Sequence, residues 1–238
     1  MDALLASPGF DKLAEWGPIL LAGFVNSIYI AIGGYTLGLI IGLLGASGKL
    51  YGGLVTRDLL EVYTTVVRAV PELILILLLY YAGSDLLNTV MRSLGYGEAD
   101  INGLAAGIVV IGIVQGAYTT EVIRGAILAV PIGQFEAAKA YGMGPLQIFR
   151  RITIPAMLPH ALPGLGNLWL IATKDTALLA VVGFTELTLA TRQAAGATKY
   201  YMTFYLAAGV LYLALSILST VIIKLIESRY RRGMAGAA

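Results

Sequence analysis

Four stretches of this chain contain no charged residue: positions 16–48, 101–120, 152–173 and 200–223, which are 33, 20, 22 and 24 residues long. Such runs constrain the fold strongly, because about 20 consecutive apolar residues carry an α-helix across about 30 Å of hydrocarbon. A fifth apolar stretch, 62–84, is broken by only two charges, Arg68 and Glu72. Charged residues make up 13% of the chain, against about 25% in soluble domains. The expected fold is an all-α integral membrane protein of one transmembrane domain, residues 1–238. Its five spans are expected at about 18–43, 60–83, 103–123, 159–184 and 202–224. The fourth is the least regular, with Pro155, Pro159 and Pro163 crowding its start.

Composition sets several functions aside. At 58% hydrophobic the chain has too much to bury to remain disordered. It has no Cys, which excludes disulfides, Cys-ligated zinc and a Cys nucleophile. The only His, His160, reads as a capping or interfacial residue at a helix start, so no metal site is expected. A net charge of +2 does not suggest a nucleic-acid binder. Gly45-Ala46-Ser47-Gly48-Lys49-Leu50 has the look of a phosphate loop. A P-loop, however, needs a Gly where Leu43 stands, a Ser or Thr where Leu50 stands, and a preceding strand. ATP is therefore expected to be handled by a partner.

Basic residues assign the sides of the membrane. Ten of the 16, from Lys49 and Arg57 to Arg231 and Arg232, fall on one side. Four, Lys12, Arg92, Arg192 and Lys199, fall on the other, and Arg68 and Lys174 sit at membrane depth. The N-terminus is expected outside and the C-terminus in the cytoplasm. Acids such as Asp2, Glu98, Asp100 and Glu186 lie on the outer side. The first apolar run is too long for a cleavable signal and lacks a basic start, so it is expected to stay as a helix. Gly34, Gly38 and Gly42 in the first span, and Gly103–Gly107 and Gly112–Gly116 in the third, recur every four residues. That spacing lets helix backbones approach closely, within one subunit or at a dimer seam or passage.

The longest cytoplasmic segment, about 124–158, carries the most informative pattern. Glu136-Ala137-Ala138 is followed at fixed spacing by Gly142 and then by Ile152-Thr153-Ile154-Pro155. This resembles the EAA signature of ABC importer permeases of the type I (MetI-like) fold. Tyr118, Glu121, Arg124-Gly125, Val130-Pro131 and Gly133-Gln134 narrow the resemblance to the polar amino acid branch. Arg68-Ala69-Val70-Pro71 and Lys174-Asp175-Thr176-Ala177-Leu178 resemble two further motifs of that branch. The nearest look-alikes are histidine/lysine/arginine/ornithine and opine permeases. The resemblance implies a non-catalytic subunit with no cofactor of its own. Its implied partners are a second permease subunit, expected to be a different chain, two ATPase subunits that bind ATP and Mg, and a periplasmic or extracellular substrate-binding protein.

Local chemistry agrees with a coupling loop. A short helix is expected over 134–141, ended by Gly142 in a left-handed conformation. A second short helix starts at Gly144-Pro145 and stops before Pro155, making an L-shaped knob. Gly133, Glu136, Ala137, Ala138, Gly142, Arg150 and Arg151 are the expected ATPase-coupling residues, with Ala137 and Ala138 small enough for that surface to enter a groove closely.

Ionisable groups at membrane depth are functional suspects. Lys174 and Asp175 are adjacent, so on a helix their side chains diverge by about 100°; structural pairing and substrate contact are both open to them. Arg68 and Glu72, at i,i+4 around Pro71, read as a structural pair, and Glu121 with Arg124 as a brace. Gln115, Tyr118, Thr119, Asn167, Lys174 and Asp175 are the candidate walls of a polar passage for an amino acid. Relatives in this branch often carry an acid after the Gly-Asn of the fourth span, where this chain has Gly166-Asn167-Leu168-Trp169. A second permease is then expected to supply it. The alternative, a stand-alone secondary transporter or channel, calls for internal repeats, and no motif recurs.

Overall fold

The computed structural model describes residues 8–97 and 102–231. Asp2, Glu98, Asp100 and Arg232, used above for sidedness, lie outside the described residues. Every regular element of the described residues is helical. In order the chain forms α1 (Pro8–Tyr51), α2 (Leu54–Ala69), α3 (Glu72–Ser93), α4 (Gly103–Leu128), α5 (Ile132–Ala140), α6 (Pro145–Ile148), α7 (Ile154–Asp175), α8 (Leu187–Thr198) and α9 (Tyr201–Arg231). A wide π-helical turn, Phe149–Thr153, joins α6 to α7, and a 3-10 segment, Thr176–Val182, extends α7. Five helical stretches are long and apolar enough to cross a membrane: Gly9–Tyr51, Glu72–Ser93, Gly103–Leu128, Pro145–Val182 and Tyr201–Tyr230.

The packing centres on α1 against α4, and the small-residue stripes explain why. A methyl group added at Gly38 would stand 2.9 Å from the Gln115 Cβ and 3.3 Å from the Gly116 backbone nitrogen. Gly34, Gly42 and Gly45 meet Ile111, Thr119 and Thr120 in the same way, and Gly112 and Gly116 meet Leu37 and Ile41. The four-residue repeat therefore serves contact within this subunit. The other helices wrap around this pair. Leu20, Leu187, Ala190 and Phe204 form a core at one end of the bundle, and Ala46, Ile123, Val130 and Met157 form another at the opposite end.

Three expected boundaries change. The stretch expected as one span at 60–83 is two helices. Pro71 has no N–H to donate and forces the residue before it out of the helical region; Val70 is accordingly extended at φ −94° and ψ 138°. The fourth helix does not begin at 159, nor does the knob's second helix stop before Pro155. The chain passes helically from Pro145 to Val182, and the loss of the Pro155 donor is absorbed in the wide turn, where Ile154 N–H bonds to Phe149 O. His160 therefore lies exposed inside α7 rather than at its start.

The third change is α8, which the sequence reading did not separate from its surroundings. It is capped by Glu186, whose carboxylate accepts from the Thr188 and Leu189 amides at 2.8 and 2.7 Å, from Tyr212 Oη at 3.1 Å and from Ser27 Oγ at 3.3 Å. Glu186 is fully buried; burial pushes its carboxyl up from the ordinary value, opposed by the hydrogen bonds from Thr188, Leu189 and Tyr212.

Candidate functional site

Two places in this fold gather the expected functional residues. The first is the knob between α4 and α7. Helix α5 ends in a Schellman motif: Gly142 N–H bonds to Lys139 O at 2.9 Å and Met143 N–H to Ala138 O at 3.1 Å. Gly142 has φ +73°, a conformation that costs a residue with a Cβ about 1–2 kcal/mol. The Gln147 side chain then accepts from the Gly144 amide at 3.3 Å and starts α6. Gly133, Glu136, Ala137, Gly142, Arg150 and Arg151 are all exposed on this knob. Ala138 is not: it is buried, and α5 packs on α6 and the wide turn that follows it. Only Ala137 of the pair faces outward, because neighbouring residues on a helix point about 100° apart.

Sequence reasoning missed the knob's apolar contribution. Ile132, Leu146 and Tyr141 are 74%, 69% and 86% exposed. Together with the charged groups they form a mixed surface of the kind that partner proteins cover. An apolar groove of about 1030 Å³ runs between the knob and the last turns of α1, with Leu50, Phe135, Met143 and Phe149 in its walls.

Beneath the knob, Lys49 is 3% exposed in its side chain and reaches Thr64 Oγ1 at 2.6 Å, Glu61 at 2.7 Å and Glu121 at 2.6 Å. Arg124 completes the group at 2.9 Å from Glu121, as the expected brace. The Gly45-to-Leu50 stretch is thus the helical end of α1, with its lysine engaged in ion pairs.

The second place is the middle of α4. Tyr118 Oη donates to Glu72 Oε1 at 3.0 Å, and Gln115 Nε2 donates to Asp175 Oδ2 at 3.2 Å. The structure therefore joins three of the six passage candidates with Glu72. Thr119 is fully buried against Gly42 and does not line an opening. Asn167 and Lys174 are exposed, and Lys174 diverges from Asp175 as two neighbours on a helix must. The pair expected between Arg68 and Glu72 is not among the ion pairs of the described residues; Tyr118 occupies Glu72 instead.

Residues 34–232 match the family described as binding-protein-dependent transport system inner membrane component. The chain belongs to this family. Among its curated relatives is the histidine/lysine/arginine/ornithine transport system permease protein HisQ of Escherichia coli, 41% identical over 92% of this chain and 96% of HisQ. The nopaline transport system permease protein NocQ of Agrobacterium fabrum is 46% identical over 87% of this chain and 88% of NocQ. Among solved structures, an amino acid ABC transporter crystallised with histidines aligns with a TM-score of 0.76 and 26% identity, covering 92% of this chain and 98% of that one. The inward-facing MetNI methionine transporter shares the fold, with a TM-score of 0.68 over 94% of this chain and 99% of that one. This family member is therefore a transport permease with the type I importer fold.

Proposed function

We propose that this chain is the transmembrane permease subunit of an ATP-driven importer for polar, basic amino acids or opines. It sits in a bacterial inner membrane with its N-terminus outside and its C-terminus in the cytoplasm. A second, unlike permease subunit completes the passage. Two cytoplasmic ATPase subunits bind ATP and Mg, and an extracytoplasmic binding protein delivers the solute. The chain itself catalyses nothing and holds no cofactor.

The observation that carries this reading is the knob: Glu136, Ala137, Arg150 and Arg151 exposed around a left-handed Gly142, on a base packed into the bundle through Val130 and Met157. A rigid knob of this kind transmits force. When the ATPases close on ATP, knobs seated in their clefts move with them, and the packed helices follow as rigid bodies between inward-open and outward-open states. ATP supplies the differential binding free energy that such a shift needs. Gln115, Tyr118, Asn167, Lys174 and Asp175 are assigned to the passage, while Thr119 packs α4 against Gly42 of α1.

The test is ATP hydrolysis by the complete importer in proteoliposomes, stimulated by the loaded binding protein over a panel of amino acids. Gly142→Asp is expected to leave the subunit in the membrane and the complex assembled, while stimulation falls to the unstimulated rate. Full stimulation in that variant sinks the coupling assignment.

A further inference from the structure

We propose that Glu186 is a positioning residue for transport: it joins the outer segment that follows α7 to α1 and α9, so that this end of the passage moves with the bundle as one body. The proposal rests on the importer reading above and adds a part to it. The segment runs from Thr176, through the left-handed Gly183, to the start of α8 at Leu187. It begins directly after Asp175, a passage residue in that reading.

The first observation is how the carboxylate divides its bonds. Oε1 accepts from the Leu189 amide at 2.7 Å and caps α8. Oε2 accepts from the Thr188 amide at 2.8 Å, but also from Tyr212 Oη of α9 at 3.1 Å and from Ser27 Oγ of α1 at 3.3 Å. Capping a helix needs only a short acceptor, for which Ser, Thr, Asp or Asn is favoured. A fully buried carboxylate is a costly replacement for them, and it persists only where donors surround it. The longer side chain adds the two donors that lie on other helices.

The second observation is that the backbone repeats this connection. A methyl group added at Gly23 would stand 3.0 Å from the Glu186 carbonyl carbon and oxygen, a close approach that the missing side chain allows. Asn26 Nδ2 donates to Thr185 O at 2.8 Å, and Ser27 Oγ accepts from the Leu187 amide at 3.2 Å. Gly23, Asn26 and Ser27 share one face of α1, at i, i+3 and i+4. That face receives Thr185, Glu186 and Leu187 in succession.

Both sides of the segment are held as well. Arg192 of α8 reaches back and donates to Ala180 O at 3.3 Å. Leu179 and Phe184 are buried with Ile30 of α1 and Ile111 of α4, while Leu187 and Ala190 pack with Leu20 of α1 and Phe204 of α9. Packed contacts of this kind carry a segment with the helices it touches, because close-packed interiors transmit displacement rather than absorb it. Glu186 is where α1, α8 and α9 meet through the hydrogen bonds of one side chain.

The chain has no Cys, so nitroxide labels can be attached through Lys12→Cys and Gln193→Cys, at exposed positions of α1 and α8. In the purified permease–ATPase complex, electron–electron distance measurements should give one narrow distance without nucleotide and the same distance with ATP trapped by vanadate. Glu186→Gln loses charge-assisted bonds that weigh about tenfold or more in an equilibrium, and should add a second, broader population. Ser27→Ala with Tyr212→Phe leaves the cap in place and should do the same, which separates the joint from the cap. In both variants, hydrolysis stimulated by the loaded binding protein should fall by about tenfold, while unstimulated hydrolysis per assembled complex stays at the wild-type rate. A merely structural lesion lowers the two rates together. The proposal is overturned if the wild-type distance changes on trapping, if either variant keeps the single distance or the wild-type stimulation, or if the two rates fall in proportion. A wild-type complex that no loaded binding protein stimulates overturns the importer reading itself, whatever the distances.

Discussion

Lys49 shows what one side chain does here that its sequence neighbourhood hides. In the chain it follows a charge-free run and reads as a basic residue on the rim of a cytoplasmic loop. In the fold it is buried and ties α1, α2 and α4 together through Glu61, Thr64 and Glu121. Removing one partner of a buried ion pair leaves the other charge desolvated, at about 3–5 kcal/mol. Lys49→Met leaves Glu61 65% exposed to water and Glu121 paired with Arg124, so it is expected to lower stability by less, about 1–3 kcal/mol. Thermal unfolding of the purified complex in detergent would show it; an unchanged midpoint would mean that α2 is held by other contacts. Gln115 teaches a related lesson. Its place among the passage candidates was readable as a polar residue in a span, but the burial of its Oε1 without a partner came from the packing of α4 against α1 and α7.

Among the elements, the α1–α4 contact is the most demanding. A Cβ at Gly42 would lie 2.9 Å from the Thr119 carbonyl carbon, so the obstacle is backbone and cannot rotate away. Overpacking of this kind costs about 1–3 kcal/mol. Gly42→Leu should reduce the monodisperse fraction in size-exclusion chromatography, whereas Gly209→Ala, which meets nothing within 4 Å, should be harmless. Equal behaviour of the two would count against a tight α1–α4 seam. The four-residue glycine repeat was visible in the sequence; its partner helix was not, since the same repeat serves a dimer seam equally well. Element ends were the least legible. Hydropathy runs continuously from 60 to 83 while Pro71 cuts the helix, and it ignores Pro155, which a wide turn absorbs.

For the molecule as a whole, α3 and α9 are the least covered of the long apolar helices, with only 11% of the most apolar stretch of each buried. Lipid or a second permease must cover them. If the second permease is an unlike chain, native mass spectrometry of the importer should give one copy of this subunit, one of a different permease and two ATPases; two copies of this chain would exclude that pairing. The sequence by itself determined the membrane, the helical class, the family and the position of the loop that forms the knob. These follow from hydropathy and from residues at fixed short spacing, which are local properties of the chain. Only the tertiary structure decided that Lys49 is buried, that Ala138 faces inward, that Glu72 meets Tyr118 and that Asp175 meets Gln115. Those contacts join residues 15 to 72 positions apart, and they depend on how helices cross and where prolines break them. The scarcity of charge put the chain in the bilayer, and the crossing of three helices brought two of its few acids together.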